Sequence, residues 1–280
     1  MTTGSVDLVK QLRDRTGAGM MDCKAALTSA GGDIEKAIDL LRKKGVAQAA
    51  KRAGREAKEG LVNARVQGKK AAIVEANCET DFVARTDDFK NLISLALEET
   101  LLQGENAAGS DKIAQKVSEL SGKIGEKILV RRTKLISSEQ GVLFIYIHSN
   151  NKLGVIVELQ VPDKAKSHPD LEVLGKNLAM QVAASNPIGI SRNDIPPSVI
   201  EREKAVFKEE VKGKPEKLVE KIIQGKLDKF YQASCLLEQP FIRDDKMTVQ
   251  ALTDQVAKKI GAAIQIKQFV RFQLGENSVS

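Results

Sequence analysis

The sequence predicts an α+β protein: an N-terminal three-helix module, a core of two duplicated antiparallel α+β subdomains, and an inserted antiparallel helical hairpin. Three observations predict it. Apolar residues recur at helical spacing between glycine stops in residues 1–45, one strand–turn–strand layout occurs twice, and the second copy is broken by two amphipathic helical runs.

Bulk properties bound the rest. At 280 residues and 42% hydrophobic the chain can bury a sizeable core and divides into two or three units. A formal charge of +7 suggests an acidic partner, yet 29% charged residues of both signs is also an ordinary solvated surface. No apolar run approaches a membrane span, and Asp7, Lys10, Arg13, Asp14 and Arg15 stand where a signal peptide would be apolar, so a cytoplasmic protein is expected. Cys23, Cys78 and Cys235 are far apart with no paired spacing, which indicates neither a disulfide framework nor a zinc site. Only His148 and His168 are available for acid–base work, with no nucleophile motif beside either, and Gly17-Ala18-Gly19 lacks the lysine of a phosphate-cradling loop.

In residues 1–45, Val6, Val9 and Leu12 repeat at helical spacing until Thr16-Gly17 stops the run. A second helix starts at Gly19-Met20-Met21-Asp22 and continues through Leu27, Gly31-Gly32 breaks it, and Asp33 caps a third helix with Gly45 just beyond its end. Met20, Cys23 and Leu27 share a stripe that turns Met21 away. One methionine is then exposed as a pliable contact beside Arg13 and Asp22, unless so small a bundle buries both as filler. Residues 46–59 read as a basic, alanine-rich helical linker. The stretch 42–70 carries ten Lys or Arg against two Glu, but no aromatic residue to stack on bases, so a solvated linker is preferred to a nucleic-acid site.

The core is 60–140 for the first copy and 141–195 with 228–280 for the second. Gly60-Leu61-Val62 through Ala71-Ala72-Ile73-Val74-Glu75 repeats as Gly141-Val142-Leu143 through Gly154-Val155-Ile156-Val157-Glu158, two strands around a polar turn. Each copy enters a helix, at 89–102 and at 171–184, and takes a third strand, Ile128-Leu129-Val130 with Leu135-Ile136 in one and 265–274 in the other. Residues 196–227 form the inserted hairpin: Val199, Val206 and Val211 climb one helix, Lys212-Gly213-Lys214-Pro215 makes the turn, and Leu218, Ile222 and Leu227 descend the other. Such a pair buries little alone and is expected to project and lie against something, with dimerisation through it left open.

Between the apolar strand of the first copy and its helix stands Glu79-Thr80-Asp81-Phe82-Val83-Ala84-Arg85. Two readings of Phe82 are open. It protrudes as a contact, or it folds back as a hydrophobic staple over a helix capped by Thr80 or Asp81.

Thr16-Gly17-Ala18-Gly19-Met20-Met21-Asp22-Cys23-Lys24 and Glu79-Thr80-Asp81-Phe82-Val83-Ala84, followed in order by Lys123-Ile124-Gly125-Glu126, Gly213-Lys214-Pro215 and Gln239-Pro240-Phe241, resemble the elongation factor Ts family, the bacterial exchange factors for the GTPase elongation factor Tu. The likeness runs over essentially the whole chain, and the first two motifs carry its specificity. It implies a UBA-like N-terminal module, a two-part α+β core and a coiled-coil hairpin. It also implies an exchange factor with no catalytic residues, cofactor or metal of its own, no membrane and no direct nucleic-acid contact. The implied partner is elongation factor Tu, GDP-bound or nucleotide-free.

By the same resemblance Thr80, Asp81, Phe82 and Val83 intrude near the Mg²⁺ site of that GTPase. Phe82 supplies an apolar wedge there and Asp81 disturbs the polar contacts that hold the metal region. Arg13, Met20 and Met21 dock on the GTPase domain, and His148 in Tyr146-Ile147-His148 faces another domain. Two other classes are weighed against this one: a basic RNA-binding protein of the translation apparatus, which predicts binding steeply weakened by salt, and a metal site built from Glu79, Asp81, Asp87 and Asp88. The start of a helix favours acids in any case.

Overall fold

The computed structural model describes residues 3–212 and 215–276, so Gly213 and Lys214 of the expected hairpin turn lie outside the described residues. Helices α1 (Thr3–Thr16), α2 (Met20–Ser29) and α3 (Ile34–Arg52) enclose Leu12, Cys23, Ala26, Leu27 and Ala37. The stops expected at Thr16-Gly17 and Gly31-Gly32 hold, and Asp33 caps α3 by accepting from the Lys36 N–H at 3.1 Å.

In the core, β1 (Glu59–Gln67) and β2 (Lys70–Cys78) form a hairpin. Next come α4 (Asp81–Ala84), α5 (Asp87–Gln103) and α6 (Asp111–Ile124), and β3 (Leu129–Ser137) returns beside β2. A second hairpin, β4 (Gly141–Ile147) and β5 (Leu153–Gln160), is followed by α7 (Pro169–Ser185), α8 (Pro197–Glu210) and α9 (Glu216–Ser234). The chain then runs through the short pair β6 (Pro240–Phe241) and β7 (Asp244–Thr248), α10 (Val249–Ile260) and β8 (Gln265–Gln273). The sheet orders β1-β2-β3 and β4-β5-β8, all antiparallel, are the duplication the sequence predicts.

Strand β2 is buried on both faces from Ala71 to Cys78 because it lies between two layers. Ala72, Val74 and Ala76 meet Phe89, Leu92 and Leu97 of α5, while Ile73 and Val62 meet Leu143 and Ile156 of the other sheet. Val155, Val157 and Leu159 face Leu171, Leu174 and Leu178 of α7, which completes a helix–sheet–sheet–helix stack. The copies also share an irregularity: pairing with the third strand slips between Glu75 and Ala76 in one and between Glu158 and Leu159 in the other. The fully buried Glu75 carboxylate accepts from Arg131 at 3.1 Å, from Arg132 at 2.6 Å and from the Gly275 N–H at 2.9 Å. With the Arg132 guanidinium 4.1 Å over the Phe272 ring, this group ties the two sheets together.

Two expectations are corrected. Helix α3 does not end before Gly45 but runs to Arg52, so the helical part of the expected 46–59 linker is an extension of α3 and 53–58 carry no helix. Packing decides this. Gly45 lies against α6, where a Cβ would sit 3.7 Å from the Ser118 carbonyl and where Gly122 brings the two helices close, and this contact outweighs the roughly 1 kcal/mol that a mid-helix glycine costs. Of the stripe expected along α8 and α9, Val211 and Leu227 are buried and Val199 and Ile222 half-buried, but Val206 and Leu218 are exposed, and Phe207 of α8 lies beneath Lys226 of α9. No residue of α8 is fully buried. Among the described residues no helix is long and apolar enough to cross a membrane.

The packing of α7 on β4 is testable at Gly175, where a Cβ would fall 2.3 Å from Cγ of Phe144. Gly175→Ala should lower the stability of the fold by about 1–3 kcal/mol, read as a lower urea midpoint. An unchanged midpoint would place α7 farther from β4.

Candidate functional site

Two threonines organise the chain between β2 and α5. Thr80, in extended conformation, caps α4 by accepting from the Val83 N–H at 3.4 Å. Thr86 caps α5 through the Phe89 N–H at 3.3 Å while its hydroxyl donates to the Val83 carbonyl at 2.8 Å. Between them is a single four-residue turn. Successive helical residues step by about 100°, so one turn presents its side chains to opposite sides. Val83 and Ala84 point into the cluster that holds Cys78 and Phe89, and Phe82 stands 78% exposed.

The staple reading does not hold: the ring does not fold back, and the following helix α5 is capped by Thr86, while Thr80 caps the separate turn α4. Of the four residues expected as a contact, Val83 is 7% exposed and anchors the turn from inside. Thr80 is half-buried by its capping role, and Asp81 is ion-paired with Arg85 at 2.7 Å across the turn.

Beneath the turn lies a residue whose part sequence reasoning missed. Gly125 ends α6 in a left-handed conformation, φ +88°, and this reverses the chain so that Glu126 faces the end of β2. One Glu126 oxygen accepts from the backbone N–H groups of Glu79 at 3.1 Å and Thr80 at 3.0 Å, and the other from the Thr80 hydroxyl at 2.7 Å. In return the Lys127 N–H donates to the Glu79 carboxylate at 2.6 Å, and Arg55 donates to the same oxygen at 3.2 Å. The backbone bond from Lys127, with Arg55 behind it, holds the Glu79 carboxyl below the usual carboxylate range. Directly beneath, the Cys78 thiol donates to the Thr80 carbonyl at 3.1 Å, and burial pushes its pKa up to about 12, so it is neutral.

The other expected residues are all at the surface. Met20 and Met21 are 58% and 74% exposed, so both side chains, not one, leave the bundle, and Arg13 is exposed with them. Their unit touches the site's frame through Lys123, whose chain packs on Gly17 and whose ammonium pairs with Asp88 at 2.7 Å. His148 is apart from these, exposed on the second sheet with Nδ1 2.9 Å from the Tyr146 hydroxyl. His168 caps α7, accepting from the Asp170 N–H at 3.2 Å.

The acids weighed as a metal site are dispersed among cations: Glu79 with Arg55, Asp81 with Arg85, Asp87 with Lys90 and Asp88 with Lys123. Among the described residues no three metal-binding side chains converge.

The family model described as Elongation factor TS matches residues 79–276, which begins at the loop of Phe82. Curated relatives carry the name Elongation factor Ts. That of Prosthecochloris aestuarii is 46% identical over 95% of this chain and 97% of its own length. That of Rhodopseudomonas palustris is 43% identical over 99% and 94%, and that of Clostridium acetobutylicum 42% identical over 97% and 92%.

The Glu79 contacts give a pH signature. A carboxyl held low in the folded state contributes stability that is complete at neutral pH and is lost as the pH falls through and below about 4.3. Urea unfolding of wild type and Glu79→Gln should therefore differ at pH 7 and converge towards pH 3. A gap that widens in acid would contradict the assignment. Native Cys78 should also resist thiol alkylation at pH 8 until the protein unfolds.

Proposed function

The chain belongs to the elongation factor Ts family, and from that premise we propose that it is a guanine-nucleotide exchange factor of bacterial translation, acting in the cytoplasm on the GTPase elongation factor Tu. It binds the GDP-bound partner, promotes GDP release by disturbing the Mg²⁺ and phosphate site, and leaves a nucleotide-free complex to which GTP rebinds. In the same reading α1 to α3 are the family's UBA-like module, the two sheets with their helices are its subdomains N and C, and α8 with α9 is its coiled-coil hairpin.

The observation that carries this is a large apolar ring, 78% exposed, on a turn fixed at both ends and underneath. An exposed phenylalanine held in one place is costly to keep in water unless another surface covers it. In exchange the energetics are reciprocal: a factor that binds the empty GTPase more tightly than the loaded one lowers nucleotide affinity by the same free energy. No proton transfer or covalent step is required of this chain. Phe82 supplies the wedge, Asp81 beside it competes for the polar contacts around the metal, and Arg13, Met20 and Met21 give a second, softer contact. His148 contributes a third contact from the second sheet.

Release of a fluorescent GDP from elongation factor Tu, followed with and without the protein, tests the reading. Phe82→Ala should slow stimulated release by about 2 kcal/mol, roughly thirtyfold. Wild-type rates from that variant would remove Phe82 from the mechanism.

A further inference from the structure

We propose that Glu126 is a positioning residue for Phe82, acting through the backbone of Glu79 and Thr80, and that the C-terminal turn of α6 joins the N-terminal helices to the same loop. This rests on the exchange reading above and adds to it a group that touches no partner.

Three contacts make the clamp. The carboxylate is the acceptor for both N–H groups at the entrance to α4 and for the Thr80 hydroxyl that caps it. Bonds to an ionised acceptor are the strong ones, and here they fix the residue from which the four-residue helix starts. The carboxylate is itself held in place. The Ser121 hydroxyl donates to the Glu126 carbonyl at 2.5 Å, and the left-handed Gly125 sets the direction of the turn.

The same turn also receives α3. Arg52 donates to the Ser121 carbonyl at 3.2 Å, and the Lys127 ammonium caps the end of that segment through the carbonyls of Ala53 at 2.6 Å and Arg55 at 2.8 Å. The end of α3, the end of α6 and the base of the Phe82 turn therefore form one hydrogen-bonded unit. A force applied at the exposed ring is transmitted to the N-terminal helices through Glu126 instead of being absorbed by a loose loop.

The test uses the full-length chain and fluorescent-GDP release at saturating factor, with Glu126→Ala and Glu126→Gln made alone and combined with Phe82→Ala. Glu126→Ala should lower the saturated rate about tenfold. Glu126→Gln, which keeps a carbonyl acceptor for the two amides, should lose only about threefold. In the Phe82→Ala background both changes should cost much less than in the wild type, because only Asp81 is then left on the turn to be positioned.

Three results would overturn the proposal: full activity of Glu126→Ala, losses that multiply with Phe82→Ala as a general loss of stability gives, or Gln as damaging as Ala, which would mean that the charge acts on the partner directly. If Glu126→Ala does not fold, the Gln variant decides by the same cycle. Should Phe82→Ala alone exchange like wild type, the wedge reading fails first and the positioning role falls with it, a result distinct from the other three.

Discussion

A one-turn helix cannot hold itself together, and the candidate site depends on how that difficulty is met. Helix nucleation fixes several dihedral angles for a single hydrogen bond, so four residues such as 81–84 stay helical only when their surroundings impose it. Here Thr80 closes the front, Thr86 ties the back, and Val83 with Ala84 is drawn into the apolar layer between β2 and α5. Once those two side chains are committed inward, the geometry of the turn leaves Phe82 only the outside. The exposed ring is thus a consequence of what is buried next to it.

The scaffold makes that commitment firm. β2 has an apolar layer on each side, so the strand that leads into the site is among the best-packed segments of the chain. The second copy lies behind it and is locked to it where Glu75 gathers Arg131, Arg132 and the Gly275 N–H. Taking one partner from a buried carboxylate is costly, which gives the inter-sheet joint little freedom to shear. Helices α8 and α9 have a separate root, where Arg192 pairs with Asp228 and Glu238 and lies over the Tyr231 ring. Their position is therefore set without involving the Phe82 turn.

Much of this was legible in the sequence, for identifiable reasons. The strand–turn–strand repeat shows because β2 and β5 are buried on both faces and read as unbroken apolar runs, and even their shared glutamates fall at the same bulge. Asp33 is legible because caps are local chemistry. What escaped is long-range. Glu126 lies 46 residues from Thr80, and although Lys123-Ile124-Gly125-Glu126 stands among the motifs of the resemblance, nothing local ties its acid to the Phe82 turn. The inward turn of Val83 is invisible because four residues contain no period. The passage of α3 through Gly45 follows from a neighbour, Gly122, that no window around residue 45 contains. Of the apolar stripe expected across α8 and α9, Val211 and Leu227 are buried, and only Val206 and Leu218 turn outward, because the two helices carry enough valine, isoleucine and leucine to draw more than one apolar face.

The central claim is that the Phe82 turn is built before any partner arrives. Hydrogen–deuterium exchange of the free, full-length protein tests it most directly at the amides of Glu79 and Thr80, which donate to the Glu126 carboxylate. The account predicts that both exchange as slowly as the amides of β2, and change little when elongation factor Tu is added. Exchange at the rate of an unstructured peptide in the free chain, with protection only in the complex, would mean that the turn forms on binding and would contradict it.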